Sequence, residues 1–89
     1  MSIPVKVRLF ASMRDHAGVK DADVQGKNVG EVLDSLVNAY PLLKRQIFKE
    51  DGDLLPYVRV LLNGIVISDL NTELKKGDEL AVFPLVGGG

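Results

Sequence analysis

The sequence predicts an α+β fold: a mixed sheet of four to five strands with one main helix packed on one face. Three observations predict it. Val5 to Phe10 and Glu79 to Phe83 run with the two-residue period of half-buried strands. Val29, Val32, Leu33, Leu36, Val37 and Tyr40 fall on one face of a helix. Asn63-Gly64 separates two apolar runs, a strong hairpin signal.

Taken in order, Val5, Val7 and Leu9 face one way along the first strand, and Lys6, Arg8 and Phe10 the other. Ala11 to Gly18 reads as a turn region. A weaker strand covers Lys20 to Val24 and ends at Gly26-Lys27. The helix follows, with Asn28 as N-cap and Glu31 placed to complete a capping box. Pro41 stops it. Leu42 to Phe48 adds a short helical turn, and Glu50-Asp51-Gly52-Asp53 a polar loop. Tyr57 to Leu62 and Ile65 to Ile67 flank the hairpin turn. Lys75-Lys76-Gly77-Asp78 turns the chain into the last strand, which Pro84 ends. The order β-β-α-β-β-β places the first and last strands side by side and parallel at the sheet centre. This is the β-grasp arrangement. The helix covers Val5, Val7, Leu9, Leu80 and Val82, and the opposite face is open. Residues 1–84 make the β-grasp domain; 85–89 make a flexible Gly-rich tail.

Composition narrows the function. The chain has 89 residues, a size that buries about 60% of its unfolded surface in one core. Its net charge of -1 argues against an electrostatic grip on nucleic acid or an anionic membrane. It has no cysteine, which excludes a disulfide, a side-chain thiolate nucleophile and a cysteine metal site. A single histidine excludes a multi-histidine metal site. No apolar run approaches the ~20 residues of a membrane span, and no signal peptide opens the chain, so a cytoplasmic location is expected.

Three of the nine glycines are the last three residues, Gly87, Gly88 and Gly89. No residue from Leu80 onward is charged. A thread without side chains can enter a narrow site in another protein and present a terminal carboxylate there. A carboxylate is a poor electrophile, so chemistry on it needs activation, usually adenylation by ATP with Mg²⁺ held by a partner. This chain has no phosphate-binding motif of its own. The plainer alternative is a frayed terminus or a cloning remnant. Alternation also puts Phe10 and Phe83 on the open sheet face, beside Leu61 and Ala81. Aromatic residues at the root of such a tail suggest a docking patch. The alternatives are that the Leu42–Leu55 segment or a second copy covers them.

The ordered set of motifs resembles the small sulfur carriers of the MoaD/ThiS family, the ubiquitin-like β-grasp class, most of all the small subunit of molybdopterin synthase. Val5 to Phe10 followed by Ala11-Ser12-Met13-Arg14-Asp15-His16-Ala17-Gly18 is similar to the family's opening strand and turn. Val29 to Leu36, ending at Tyr40-Pro41, is similar to its helix, and Val60 to Gly64 to its hairpin. Leu74 to Val86 with Gly88-Gly89 is similar to its C-terminal signature. The resemblance implies a carrier, not an enzyme acting alone. An E1-like adenylyltransferase of the MoeB/ThiF type activates the Gly89 carboxylate, and a persulfide sulfur displaces AMP to give a thiocarboxylate. Gly87 and Gly88 give clearance for threading. Phe10 and Phe83, with Leu85 and Val86, form the partner interface; Val66 or Ile67 completes it. The acceptor is the large, MoaE-type synthase subunit, where sulfur passes to a cyclic pterin precursor. No cofactor is bound by this chain; ATP and Mg²⁺ belong to the activating partner.

Two departures leave the branch open. Leu85 stands where the family more often has proline, and Gly87 where it has serine, alanine or threonine. The stretch from Gln46 to Pro56 is also longer than in the shorter members. Longer versions occur among archaeal and other bacterial carriers, some serving cysteine synthesis or tRNA thiolation. The alternative readings are a carrier for cysteine, thiamin or tRNA thiolation, or a ubiquitin-like modifier conjugated to lysines through Gly89. His16, with no serine or cysteine partner, reads as a surface residue. Arg14 and Asp15 read as turn-stabilising and Met13 as packing. Asp51 and Asp53 lack the spacing of a calcium loop. Lys44-Arg45 and Lys75-Lys76 read as solvated faces able to steer an acidic partner.

Overall fold

The computed structural model describes residues 2–85. Five strands form one mixed sheet: β1 (Ile3–Leu9), β2 (Asp21–Gly26), β3 (Val58–Leu62), β4 (Ile65–Ile67) and β5 (Glu79–Pro84). Their order across the sheet is β2-β1-β5-β3-β4. β1 and β5 are parallel at the centre, with Val7 opposite Leu80 and Leu9 opposite Val82. The main helix, α2 (Val29–Ala39), lies across one face. Val29, Val32, Leu33 and Leu36 are fully buried there against Val5, Val7, Leu9, Leu80 and Val82. This is the expected α+β, ubiquitin-like β-grasp.

Asn28 caps α2: its side chain accepts from the Glu31 N–H at 2.8 Å. The reciprocal half of the expected capping box is shifted by one residue. Glu31 Oε1 accepts from the Lys27 N–H, not from Asn28, at 2.9 Å. At the hairpin, Asn63 and Gly64 both have positive φ, 51° and 86°, as a type I′ turn requires. Asn63 also donates its amide to Asp78 and accepts from the Glu79 N–H, tying the turn to β5.

Four local expectations need correction. Ala11–Ala17 is a helix, α1, not a turn; it ends at Gly18 in the left-handed region (φ 78°). Seven residues give too few repeats for a visible period, and Met13 alone is buried, at 0% exposure. β2 starts at Asp21 and runs through Gly26. Gly26 continues the strand because it has no side chain: a Cβ there would sit 2.6 Å from the Val32 backbone nitrogen. Pro84 is the last residue of β5, paired with Val58, rather than its terminator. The Leu85 N–H donates to the Tyr57 carbonyl. By alternation the Pro84 nitrogen therefore faces the β1 side, where pairing has already ended at Leu9.

The expected short helical turn is a 3-10 turn (Pro41–Leu43) followed by α3 (Lys44–Ile47). Leu43 and Ile47 are fully buried, and Phe48, Leu54 and Leu55 pack beside them on the α2 face. The segment therefore extends the core. It does not cover the open face.

Candidate functional site

Strand alternation fixes what the open face carries. Arg8 on β1 lies opposite Ala81 on β5, and Ala81 opposite Leu61 on β3. Leu61 in turn lies opposite Val66 on β4, and Arg59 opposite Phe83. Phe10 follows β1 and is the extended residue that starts α1. Phe10 and Phe83 meet edge to face, ring centres 6.4 Å apart at 88°, a favourable aromatic geometry. Phe10, Ala11, Leu61, Ala81, Phe83 and Pro84 line a shallow apolar groove of about 410 Å³. Val66 extends its apolar border and is exposed. Ile67, opposite Val60, packs against the core instead. Of the two hairpin residues, only Val66 lies on the open face.

Phe10 is 43% exposed. Phe83 is half-buried, less open than a free surface aromatic, because the Phe10 ring packs on it. Arg8 Nε pairs with Glu79 Oε1 at 2.7 Å and marks the polar border. On the other flank Arg59 donates to the Pro56 and Val58 carbonyls. The groove thus has an apolar floor and charged edges, the layout of a protein interface. Leu85 is exposed and lies just beyond the groove. Its bond to Tyr57 is the last described tie of the chain to the sheet. Val86, Gly87, Gly88 and Gly89 lie outside the described residues.

The other candidates stand apart from this face. His16 donates from Nδ1 to the Ser12 carbonyl at 2.7 Å, closing a turn of α1 on the surface. Asp51 accepts from the Asp53 N–H, an ordinary loop contact. Among the described residues no three His, Asp or Glu side chains gather as metal ligands. No helix among them is long and apolar enough to cross a membrane. The Asp78 carboxyl is held below the usual carboxylate range by the Lys75 N–H, then by the Asn63 amide, with the Lys75 charge adding to both. It is partly exposed and fixes the turn before β5. Ala11 and Pro84 are groove residues that strand alternation does not reveal; Ala11 belongs to a segment whose pattern resembles a turn.

The fold, with one sheet face closed by helices and the other open and apolar, defines a ubiquitin-like β-grasp domain. The chain belongs to the ThiS family, whose model matches residues 7–89. It is 42% identical over 85 residues to small archaeal modifier protein 1 of Haloferax volcanii, covering 92% of this chain and 97% of that one. The crystal structure of that protein superposes with a TM-score of 0.89 at 37% identity, over 94% of this chain and 99% of that one. The chain is 34% identical to the molybdopterin synthase sulfur carrier subunit of Mycobacterium tuberculosis, over 98% and 99% of the two chains. It also resembles a chain in the complex of subunits 1 and 2 of the molybdopterin-converting factor of Helicobacter pylori. There the TM-score is 0.66, at 27% identity over the whole of both chains. The family comprises small sulfur carriers and ubiquitin-like modifiers that are not catalytic by themselves.

Proposed function

We propose that this chain carries sulfur on its C-terminal glycine. It rests on one observation: in a ThiS-family chain, the apolar groove of Phe10, Leu61, Ala81 and Phe83 is uncovered and adjoins the strand that leads to Gly89. An E1-like enzyme docks on the groove and receives Gly87-Gly88-Gly89. The Gly89 carboxylate oxygen attacks the α-phosphate of ATP and releases pyrophosphate. Mg²⁺ and the nucleotide belong to the enzyme. A persulfide sulfur then attacks the acyl carbon, AMP leaves, and reduction of the remaining S–S bond by a thiol yields the thiocarboxylate. Adenylation is required because it turns a poor leaving oxygen into a good one. The acceptor is the large subunit of molybdopterin synthase, a reading supported by the 34% identity to a sulfur carrier subunit of that enzyme.

A second reading has its own support in the 42% identity to a small archaeal modifier protein. The same adenylate would then pass to a lysine amine, and the chain would remain attached to the acceptor protein. ATP–pyrophosphate exchange by the cognate E1-like enzyme tests the step common to both. The native chain supports exchange, and a version extended beyond Gly89 does not. Exchange at the native rate with the extended chain overturns both readings. Incubating the thiocarboxylate form with the large synthase subunit and pterin precursor separates them. Sulfur transfer supports the carrier; lysine-linked products without it support the modifier.

A further inference from the structure

Ala11 stands out among the residues of the groove. Its φ is +54°, in the left-handed region that costs an L-residue with a side chain roughly 1–2 kcal/mol. Elsewhere among the described residues positive φ falls on Gly18, Gly52, Gly64, Gly77 and Asn63. Asn63 is of a type that tolerates this region, and its side chain bonds to β5. The four glycines face open space, with nothing within 4 Å of where a Cβ would stand. Ala11 alone combines this backbone with an apolar side chain. Glycine would adopt the same backbone without strain.

The methyl group does not serve the core. Ala11 is exposed, and the core below α1 is filled by Met13. Ala11 instead lines the groove, beside Phe10, Phe83 and Pro84. The left-handed turn at Ala11 also takes the chain from Phe10 into α1, so it sets the direction from which the Phe10 ring meets Phe83. Strained residues held by their surroundings cluster at such sites.

We propose that Ala11 is a positioning and contact residue of the docking face. It keeps a strained backbone in the free domain in order to present a methyl to the partner and hold Phe10 in place. The inference rests on the reading of the groove as the E1-like docking face. The partner group it fits is an apolar side chain laid in the groove against Phe10, Ala11 and Phe83.

Ala11→Gly separates this role from a structural one, because the two effects have opposite signs. Thermal unfolding of the free domain should shift to higher temperature as the strain is relieved. Affinity for the E1-like enzyme, measured by calorimetry, should fall about fourfold, the loss expected for one buried methyl. A lower melting temperature, or unchanged affinity, overturns the proposal. Phe83→Arg in the same titration separates the underlying reading. If it too binds like the native chain, the groove is not the docking face; if it fails to bind while Ala11→Gly binds normally, only the role of Ala11 is wrong.

Discussion

Phe83 bears most directly on docking. Its ring is half-buried against Phe10 but lies on the face opposite the core. Phe83→Arg should therefore leave cooperative unfolding intact and weaken binding to the E1-like enzyme by about 30-fold, the loss of a hot spot worth about 2 kcal/mol. Loss of cooperative unfolding would show that Phe83 is a core residue. Gly26 makes the opposite prediction. A Cβ there meets the backbone of Val32, which α2 cannot readily move. Gly26→Ala should destabilise by about 1–3 kcal/mol, read as a melting temperature lower by roughly 4–8 °C per kcal/mol. A melting temperature unchanged by this substitution would contradict the close packing of α2 on β2. The role of Gly26 was not legible in the sequence. A glycine after a weak strand looks like a terminator, and only the distance to α2 shows that it is a point of contact.

At the scale of elements, legibility followed length and periodicity. α2 spans enough turns for its apolar face to repeat, and its cap, face and stop could all be read. α1 and α3 could not be read as fully, because each places only one residue in the core, Met13 and Ile47. The cap of α2 is testable. Asn28→Ala removes the acceptor for the Glu31 N–H and should cost about 1 kcal/mol, measured by urea unfolding; no change would mean that the Lys27–Glu31 bond suffices. The turn before β5 carries a pH signature. The Asp78 carboxyl is held below its ordinary value of 3.8 in the fold. Its contribution is therefore full above that value and is lost as pH falls through the lower folded one. The effect is small because the group remains partly open to water. Asp78→Asn should flatten stability against pH on the acid side alone; an equal change at neutral and acid pH would point to lost hydrogen bonds instead.

At the scale of the whole molecule, the two sheet faces divide the work. One face is closed by α2, the 3-10 turn and α3. The other carries a groove between charged borders, next to the strand that leads toward the terminal glycines. Strand alternation made Phe10, Leu61, Ala81 and Phe83 legible as one patch, since period and register alone decide the face. Ala11 and Pro84 were not legible, because their places depend on a positive φ and on where β1 stops pairing. The absence of cysteine excludes only side-chain sulfur, and the proposed carrier holds its sulfur on the backbone terminus. The most direct test is the intact mass of the native chain after co-expression with its E1-like enzyme and a sulfur source. A thiocarboxylate at Gly89 gives a species heavier by the difference between one sulfur and one oxygen, absent when Gly89 is deleted. An unchanged mass, with the chain instead appearing only in lysine conjugates, would contradict it.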